Sequence, residues 1–301
     1  MKKLITNIRF GLLYIISLLP LRVHYIFSDL LAFVLHRIVR YRYQVITANI
    51  ARSFPEYRYD DIKKLTKQYY GFMCDIIAES VWSLAHCANA IRERVKVDNL
   101  HLLDELQQSR NNVLIVMGHC GNWELISGMI MEQKDREEKS FAFNPVYIVY
   151  KAAHKKSSDA IFKKIRMHEY KKFGSKGGVL ESNSVIRHAI KHREDKGVYV
   201  MIADQNPVGG KEIIVDFLNQ KTAMLGGPNY LATKLNMPVV YLYMDRVARG
   251  RYNMRFTLIA ENPSECEEGY ITRTFAKLLE QDIKANRVNW LWSHKRWKRK
   301  I

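Results

Sequence analysis

The chain has little proline, glycine or cysteine, and it has no apolar run long enough to cross a bilayer. Seven prolines and 15 glycines among 301 residues, with 48% hydrophobic residues, exclude a collagenous, low-complexity or disordered chain. The four cysteines (Cys74, Cys87, Cys120 and Cys266) form no CxxC pair. That argues against a secreted disulfide framework and for a reducing, cytoplasm-facing setting. The longest uncharged apolar run is residues 10–21, 12 residues, against the ~20 that a spanning helix needs. No small-x-small cleavage site follows it, and Arg22 and His24 stand where one would be, so it does not read as a secretory signal. Acid is also scarce: 30 Asp and Glu against 48 Lys and Arg, a net charge of +18.

The excess base is concentrated at the two ends. Residues 1–45 hold seven basic groups and one acid, Asp29; residues 284–301 hold seven basic groups and no acid. Both ends are rich in large apolar residues, including Trp290, Trp292 and Trp297. Basic groups interleaved with aromatics suit an anionic bilayer, with Trp at the interface. Nucleic acid is the competing anion, but no basic stripe with the aromatic spacing of RNA modules runs through the middle. Pro20 divides the N-terminal stretch into two short helices that lie partly in one leaflet; a tilted span over residues 4–21 and a buried hairpin are the alternatives. Residues 1–45 are thus expected to be a membrane-anchoring helical segment. Residues 46–301 form an α/β domain with a basic, aromatic C-terminal tail.

Periodicity predicts a helix over 58–90 and a short one over 100–106. Val113–Met117 is a continuous apolar run, as in a strand buried on both faces. Similar runs recur at 146–150, 198–203 and 239–244, with a weaker one at 254–259. Helical segments are expected at about 123–133, 157–171, 181–193, 228–236 and 268–286, and residues 132–140 are expected to form a surface loop. Alternation of this kind predicts a mixed, largely parallel central sheet flanked by helices.

The first strand runs into Gly118-His119-Cys120-Gly121-Asn122-Trp123-Glu124, at the carboxyl end where open α/β sheets place ligands. Across a turn made compact by two glycines, His119 and Glu124 are close enough to meet. A carboxylate on one imidazole nitrogen leaves the other as a general base. No serine stands in a nucleophile elbow, so the nucleophile is expected to be the substrate's own hydroxyl. Asn122, in the same loop, is a candidate substrate contact. Asp204 and Gln205 end another strand at the same sheet edge and are candidates for substrate positioning or a loop cap. A metal-dependent hydrolase using His119, Glu124 and Asp204 has no HxH or HExxH spacing to support it, so no metal is expected.

GHCGNWE resembles the HxxxxE motif of the late acyltransferases of lipid A biosynthesis, a branch of the lysophospholipid acyltransferase superfamily. Asn49-Ile50 through Phe54-Pro55-Glu56 resembles that family's N-terminal signature, and Ala203-Asp204-Gln205-Asn206 its "DQ" strand end. Phe217, Gly227-Pro228 and Leu231-Ala232 follow a third block, and Trp290 to Lys298 resembles the family's ending. The resemblance covers about residues 5–300. It implies transfer of a fatty acyl chain from acyl carrier protein to a hydroxyl of a lipid A precursor at the cytoplasmic face of the inner membrane, with no cofactor. It also implies His119 as base, Glu124 orienting it, and Arg166 as an oxyanion donor or phosphate ligand. Other glycolipid or aminolipid acceptors stay open, as does a nonenzymatic basic membrane-binding protein. The "FFG" block reads Phe217-Leu218-Asn219 here, and the following Thr-rich stretch reads Thr222 to Gly226; these positions are candidates for shaping an acyl or acceptor groove. His294 is expected to pack or meet headgroups.

Overall fold

Val113–Met117 (β2) is five consecutive apolar residues, and each is at most 1% exposed. Each such side chain contributes about 1.5–3 kcal/mol over the exposed state, which places β2 at the centre of the fold. The computed structural model describes residues 2–86, 88–109, 112–126, 145–151, 160, 164–168, 177–207 and 212–298. With β1 as Val95–Val97, β3 as Val146–Tyr150, β4 as Gly178–Glu181, β5 as Val198–Ile202, β8 as Val239–Ala248 and β9 as Arg251–Ala260, the central sheet runs β1-β9-β8-β2-β5-β3-β4. Every pairing is parallel except β8 with β9. A separate antiparallel hairpin joins β6 (Glu212–Phe217) to β7 (Gln220–Leu225).

The mixed, largely parallel α/β fold expected from the sequence is therefore present, and the strands at 113–117, 146–150, 198–202 and 239–248 fall where apolar runs predict them. The differences have local causes. The long helix (α4, Tyr59–Trp82) stops earlier than expected, and a short helix, Ala88–Arg92, follows it. The segment expected to be a helix from 181 begins with the edge strand β4 and becomes helical only over Val185–Lys191. The hairpin β6–β7 is unanticipated because its two-residue turn, Leu218-Asn219, carries positive φ (50° and 60°) without a glycine, whereas such turns usually announce themselves with one. Of the helix expected over 123–133, Trp123–Ile126 forms a 3-10 turn, and the rest lies outside the described residues, as does the 132–140 loop. In the 157–171 segment residues 160 and 164–168 are helical, and the remainder lies outside the described residues.

At the N-terminus α1 (Lys2–Ser17) and α2 (Leu21–Phe33) meet at Pro20. Ile5–Ser17 and Leu21–Ile38 are bent by 111°. Among the described residues no single helix is long and apolar enough to cross a membrane, whereas this bent pair passes that test by length and composition. The burial of α2 is inverted. Its polar side faces α4: Ser28 Oγ donates to Asp75 Oδ1 at 2.6 Å and Tyr25 OH to Glu79 Oε1 at 3.0 Å. Its apolar side faces outward, with Ile26 68% and Phe27 59% exposed, and Leu12 and Ile15 of α1 are equally open. An apolar surface this continuous marks an interaction site.

The C-terminal segment departs most from its expected place. Trp290 and Trp292 are not interfacial side chains: they are 1% and 0% exposed. Each indole N–H is satisfied inside, Trp290 Nε1 by Asp204 and Trp292 Nε1 by the Arg287 carbonyl at 2.6 Å, so each ring can sit in the core at no hydrogen-bonding cost. Arg296 is buried as well. Asn49 donates to the carbonyls of Trp292 and His294, both at 2.9 Å, and Phe54 packs edge-on against Trp292. The N-terminal and C-terminal signature segments therefore meet in space.

Candidate active site

Parallel pairing of β2 with β5 sets Met117 opposite Ile202. Two residues further along each strand stand His119 and Asp204. They meet: His119 Nδ1 lies 2.5 Å from Asp204 Oδ1, and the His119 backbone N–H donates to Asp204 Oδ2 at 2.8 Å. Trp290 Nε1 donates to that same oxygen at 2.7 Å. Burial alone would raise the Asp204 carboxyl, but His119 and Trp290 more than offset it and hold it down at about 2. An ionised acceptor there requires the proton on Nδ1, so Nε2 carries the free lone pair. Gln205 Nε2 lies 3.2 Å from that nitrogen.

This arrangement corrects the expected pairing. The carboxylate on the imidazole is Asp204, and Glu124 turns instead to Arg166, accepting from Nη2 at 2.8 Å and Nε at 3.2 Å. The cause is the loop: Trp123 begins a 3-10 turn and its ring packs edge-on against His119, with centroids 4.9 Å apart, which carries Glu124 past the imidazole. Asn122 is also displaced from its expected role. It is 0% exposed, donating to Glu79 Oε2 at 3.0 Å and accepting from Ser80 Oγ at 3.3 Å. It anchors the loop from beneath and presents nothing to a substrate.

Gly121 is required by both space and conformation. Its φ is +61°, and a Cβ there would stand 2.6 Å from the Met244 carbonyl oxygen. Its N–H donates to the Asn289 side chain at 3.1 Å, and Cys120 bridges to Trp290, so the C-terminal segment fixes the loop from above. Glu79 forms the floor. Burial raises its carboxyl, and Tyr252 and Asn122 partly offset this; the Tyr252 hydroxyl donates to it at 2.6 Å. Asp75, one turn earlier, is held by Arg246 and Arg249.

Beside the dyad opens an apolar cavity of about 350 Å³. Ile76, Leu84, Ile126, Ile148 and Val200 line it, Leu13 of α1 closes one side, and Glu124 and Arg166 supply polar groups. Trp123 faces both the cavity and His119.

His294 lies within the field of Asp204 and His119. Burial lowers its imidazole to about 4, with Asp204 opposing and His119, Arg296 and Arg42 reinforcing. The unfolded chain, with an ordinary value near 6.5, therefore takes up a proton that the folded protein refuses between those limits. Stability falls as pH drops from about 6.5 to about 4. In thermal melts over that range, His294→Gln is expected to flatten the slope; an unchanged slope would assign the loss to other groups.

The sequence pointed to His119, Asp204, Gln205 and Arg166 as members of the site; the structure brings the first three into contact at one sheet edge, and Arg166 joins Glu124 at the wall of the adjoining cavity. It gave no role to Trp290, although a buried tryptophan needs an N–H acceptor, and the strand-end carboxylate was available to serve. A comparison with curated proteins finds no match. The sequence profile of the bacterial lipid A biosynthesis acyltransferases matches residues 1–299. It spans both signature segments and every residue of the site, and the chain belongs to that family.

Proposed function

We propose that this acyltransferase moves a fatty acyl group from the thioester of acyl carrier protein to a hydroxyl of a lipid A precursor at the cytoplasmic face of the inner membrane. The observation that carries this reading is a histidine held at Nδ1 by a buried carboxylate, with the lone pair of Nε2 met only by the Gln205 amide, next to an apolar cavity. His119 Nε2 takes the proton of the acceptor hydroxyl as its oxygen attacks the thioester carbonyl. The new C–O bond forms, the C–S bond breaks, and the proton passes to the departing thiolate. Asp204 orients the ring and stabilises the imidazolium. Arg166, positioned by Glu124, faces the developing oxyanion, and the acyl chain fills the cavity. Gln205 donates to Nε2 until the hydroxyl replaces it. No cofactor enters this scheme.

The test is direct. Purified protein, acyl carrier protein charged with a fatty acid, and a hydroxylated lipid A precursor should give a product heavier by one acyl group in mass spectrometry. If the added chain appears only on a different glycolipid or on an aminolipid, the acceptor assignment is wrong. If no lipid is acylated, the enzymatic reading fails.

The outward apolar faces of α1 and α2 make them in-plane anchors. At about 24 Å for 16 residues, α1 is shorter than the ~30 Å hydrocarbon core. Leu13 belongs both to this anchor and to the cavity wall, so an acyl chain enters from the lipid side. Full-length protein is expected to stay with membranes in about 1 M salt, where charge is screened within about 3 Å but apolar contact is not. Quantitative release by salt would leave only electrostatics.

A further inference from the structure

A helix on a globular core normally turns its apolar side inward, and burial of that side holds it in place. In α2 the inward residues are Leu21, His24 and Ser28, and the grip on α4 is largely polar. Ser28 holds Asp75, Tyr25 holds Glu79, and Arg249, in the turn between β8 and β9, bridges Asp29 of α2 to Asp75. The Arg249 guanidinium also lies 4.2 Å from the centre of the Tyr25 ring. Such bonds are exchanged against bonds to water and leave little net stability. The position of α2 therefore depends on what covers its outer face.

The inner end of that grip reaches the site. Glu79 accepts from three elements: Tyr25 of α2 at Oε1, and Tyr252 of β9 and Asn122 of the His119 loop at Oε2. Asn122 in turn sets the 3-10 turn that follows, its carbonyl accepting from the Leu125 N–H at 2.9 Å, and the Trp123 ring in that turn packs on His119. α1 grips the other half of the site. Lys164 donates to Asn7 Oδ1 at 2.6 Å, and His168 packs edge-on against Phe10 and Tyr14, with ring centroids 5.4 and 5.8 Å away. Those two residues flank Arg166, which pairs with Glu124. Each of the two N-terminal helices thus holds one polar arm of the site.

We propose that α2 is a lipid-operated positioning element: seating of its apolar face on the bilayer is passed through Tyr25 and Glu79 to Asn122 and fixes the His119 loop. The proposal rests on the anchor and acyl-transfer readings above. Lipid covers that face fully only while α2 is seated, and this difference in contact is what shifts the equilibrium toward the ordered loop. Without it Tyr25 leaves Glu79, water reaches a carboxylate that is otherwise buried, and Asn122 loses its fixed acceptor. Tyr25 and Glu79 are positioning residues, acting on His119 through the loop. The consequence is chemical: away from lipid the base is out of place, and the donor thioester is not lost by transfer to water.

The test uses the full-length protein on phosphatidylglycerol vesicles, with the bound fraction followed by sedimentation. Phe27→Asn, on the outer face at a position 59% exposed, is combined with Tyr25→Phe. Tyr252→Phe is the control, since it removes a donor from Glu79 without touching α2. At vesicle concentrations that bind every variant, Phe27→Asn should lower kcat about tenfold, within the range usual for coupled sites. In the Tyr25→Phe background it should cost less than about twofold more, because the link is already cut. In the Tyr252→Phe background the full loss should persist. Amide deuterium exchange over residues 118–126 reads the same coupling without turnover. Phe27→Asn should speed it in the wild-type and Tyr252→Phe backgrounds and leave it unchanged in the Tyr25→Phe background. Equal losses in all three backgrounds would overturn the proposal. So would a rise in acceptor KM with kcat and exchange unchanged, which would make α2 an anchor that only gathers substrate. Failure of the wild-type protein to bind vesicles would overturn the anchor and this coupling together. If the protein binds but acylates no lipid, the chemical reading fails and the exchange pattern still decides the coupling.

Discussion

Asp204→Asn is expected to lower turnover by about 10²–10⁴, as much as His119→Ala, while the protein stays folded and membrane-bound. An amide in place of the carboxylate can present its N–H to Nδ1, which favours the tautomer with the proton on Nε2 and removes the base. The imidazolium would also lose its counterion at 2.5 Å. On the proposed mechanism the two residues act as one device, so His119→Ala/Asp204→Ala should be little worse than either single change. Glu124 belongs to a different pair, with Arg166, so its loss should multiply with that of Asp204. Single-turnover rates of these variants separate the two arrangements. If Glu124→Ala and His119→Ala prove non-additive while Asp204→Ala multiplies with both, Glu124 is the orienting carboxylate after all.

Filling the apolar cavity should change which donor is used. Ile148 of β3 lines it at the sheet face and is only partly buried. Ile148→Trp places a large ring in a space of about 350 Å³, and the acyl chain must give up whatever length the ring occupies. Each buried methylene is worth about 0.8 kcal/mol, so excluding two costs about 1.6 kcal/mol, or roughly 15-fold in kcat/KM. The variant should therefore lose activity with long saturated donors and keep it with shorter ones, in a competition assay read by mass spectrometry. A uniform fall across all chain lengths, with an unchanged melting temperature, would move the acyl chain out of this cavity.

The strands flanking the site were legible because burial on both faces writes a continuous apolar run, and Val113–Met117 is one. The place of His119 in the candidate site was legible from its position after that run. Its partner was not, because the nearest carboxylate along the chain is not the nearest in space: Glu124 is five residues from His119, whereas Asp204, 85 residues away, is brought opposite by strand register. Register depends on pairing across the sheet, which no local pattern encodes. The C-terminal tryptophans were misplaced for a related reason. Their neighbours Lys295 and Lys298 are exposed and basic, which drew the whole segment toward a membrane reading, while Trp290 is buried against an acceptor 86 residues away, Asp204, and Trp292, whose N–H is met locally by the Arg287 carbonyl, packs against the distant Phe54. Pro20 was easier, because a proline states its own break.

The docking of residues 289–296 onto the His119 loop also has a bearing on the order of synthesis. Trp290 braces Asp204, Asn289 braces Gly121, and Asn49 ties this segment to the early helices. Domains fold as units while the chain emerges N-terminal end first, and here the first helices, the anchor proposed above, are made long before the bracing residues exist. A nascent enzyme can thus be seated at the bilayer with His119 and Asp204 both made, yet with neither the carboxylate nor the loop held in place. If the proposed anchor and base are right, competence arrives late and all at once, and a chain stalled short of Trp290 is expected to occupy the membrane without acylating anything.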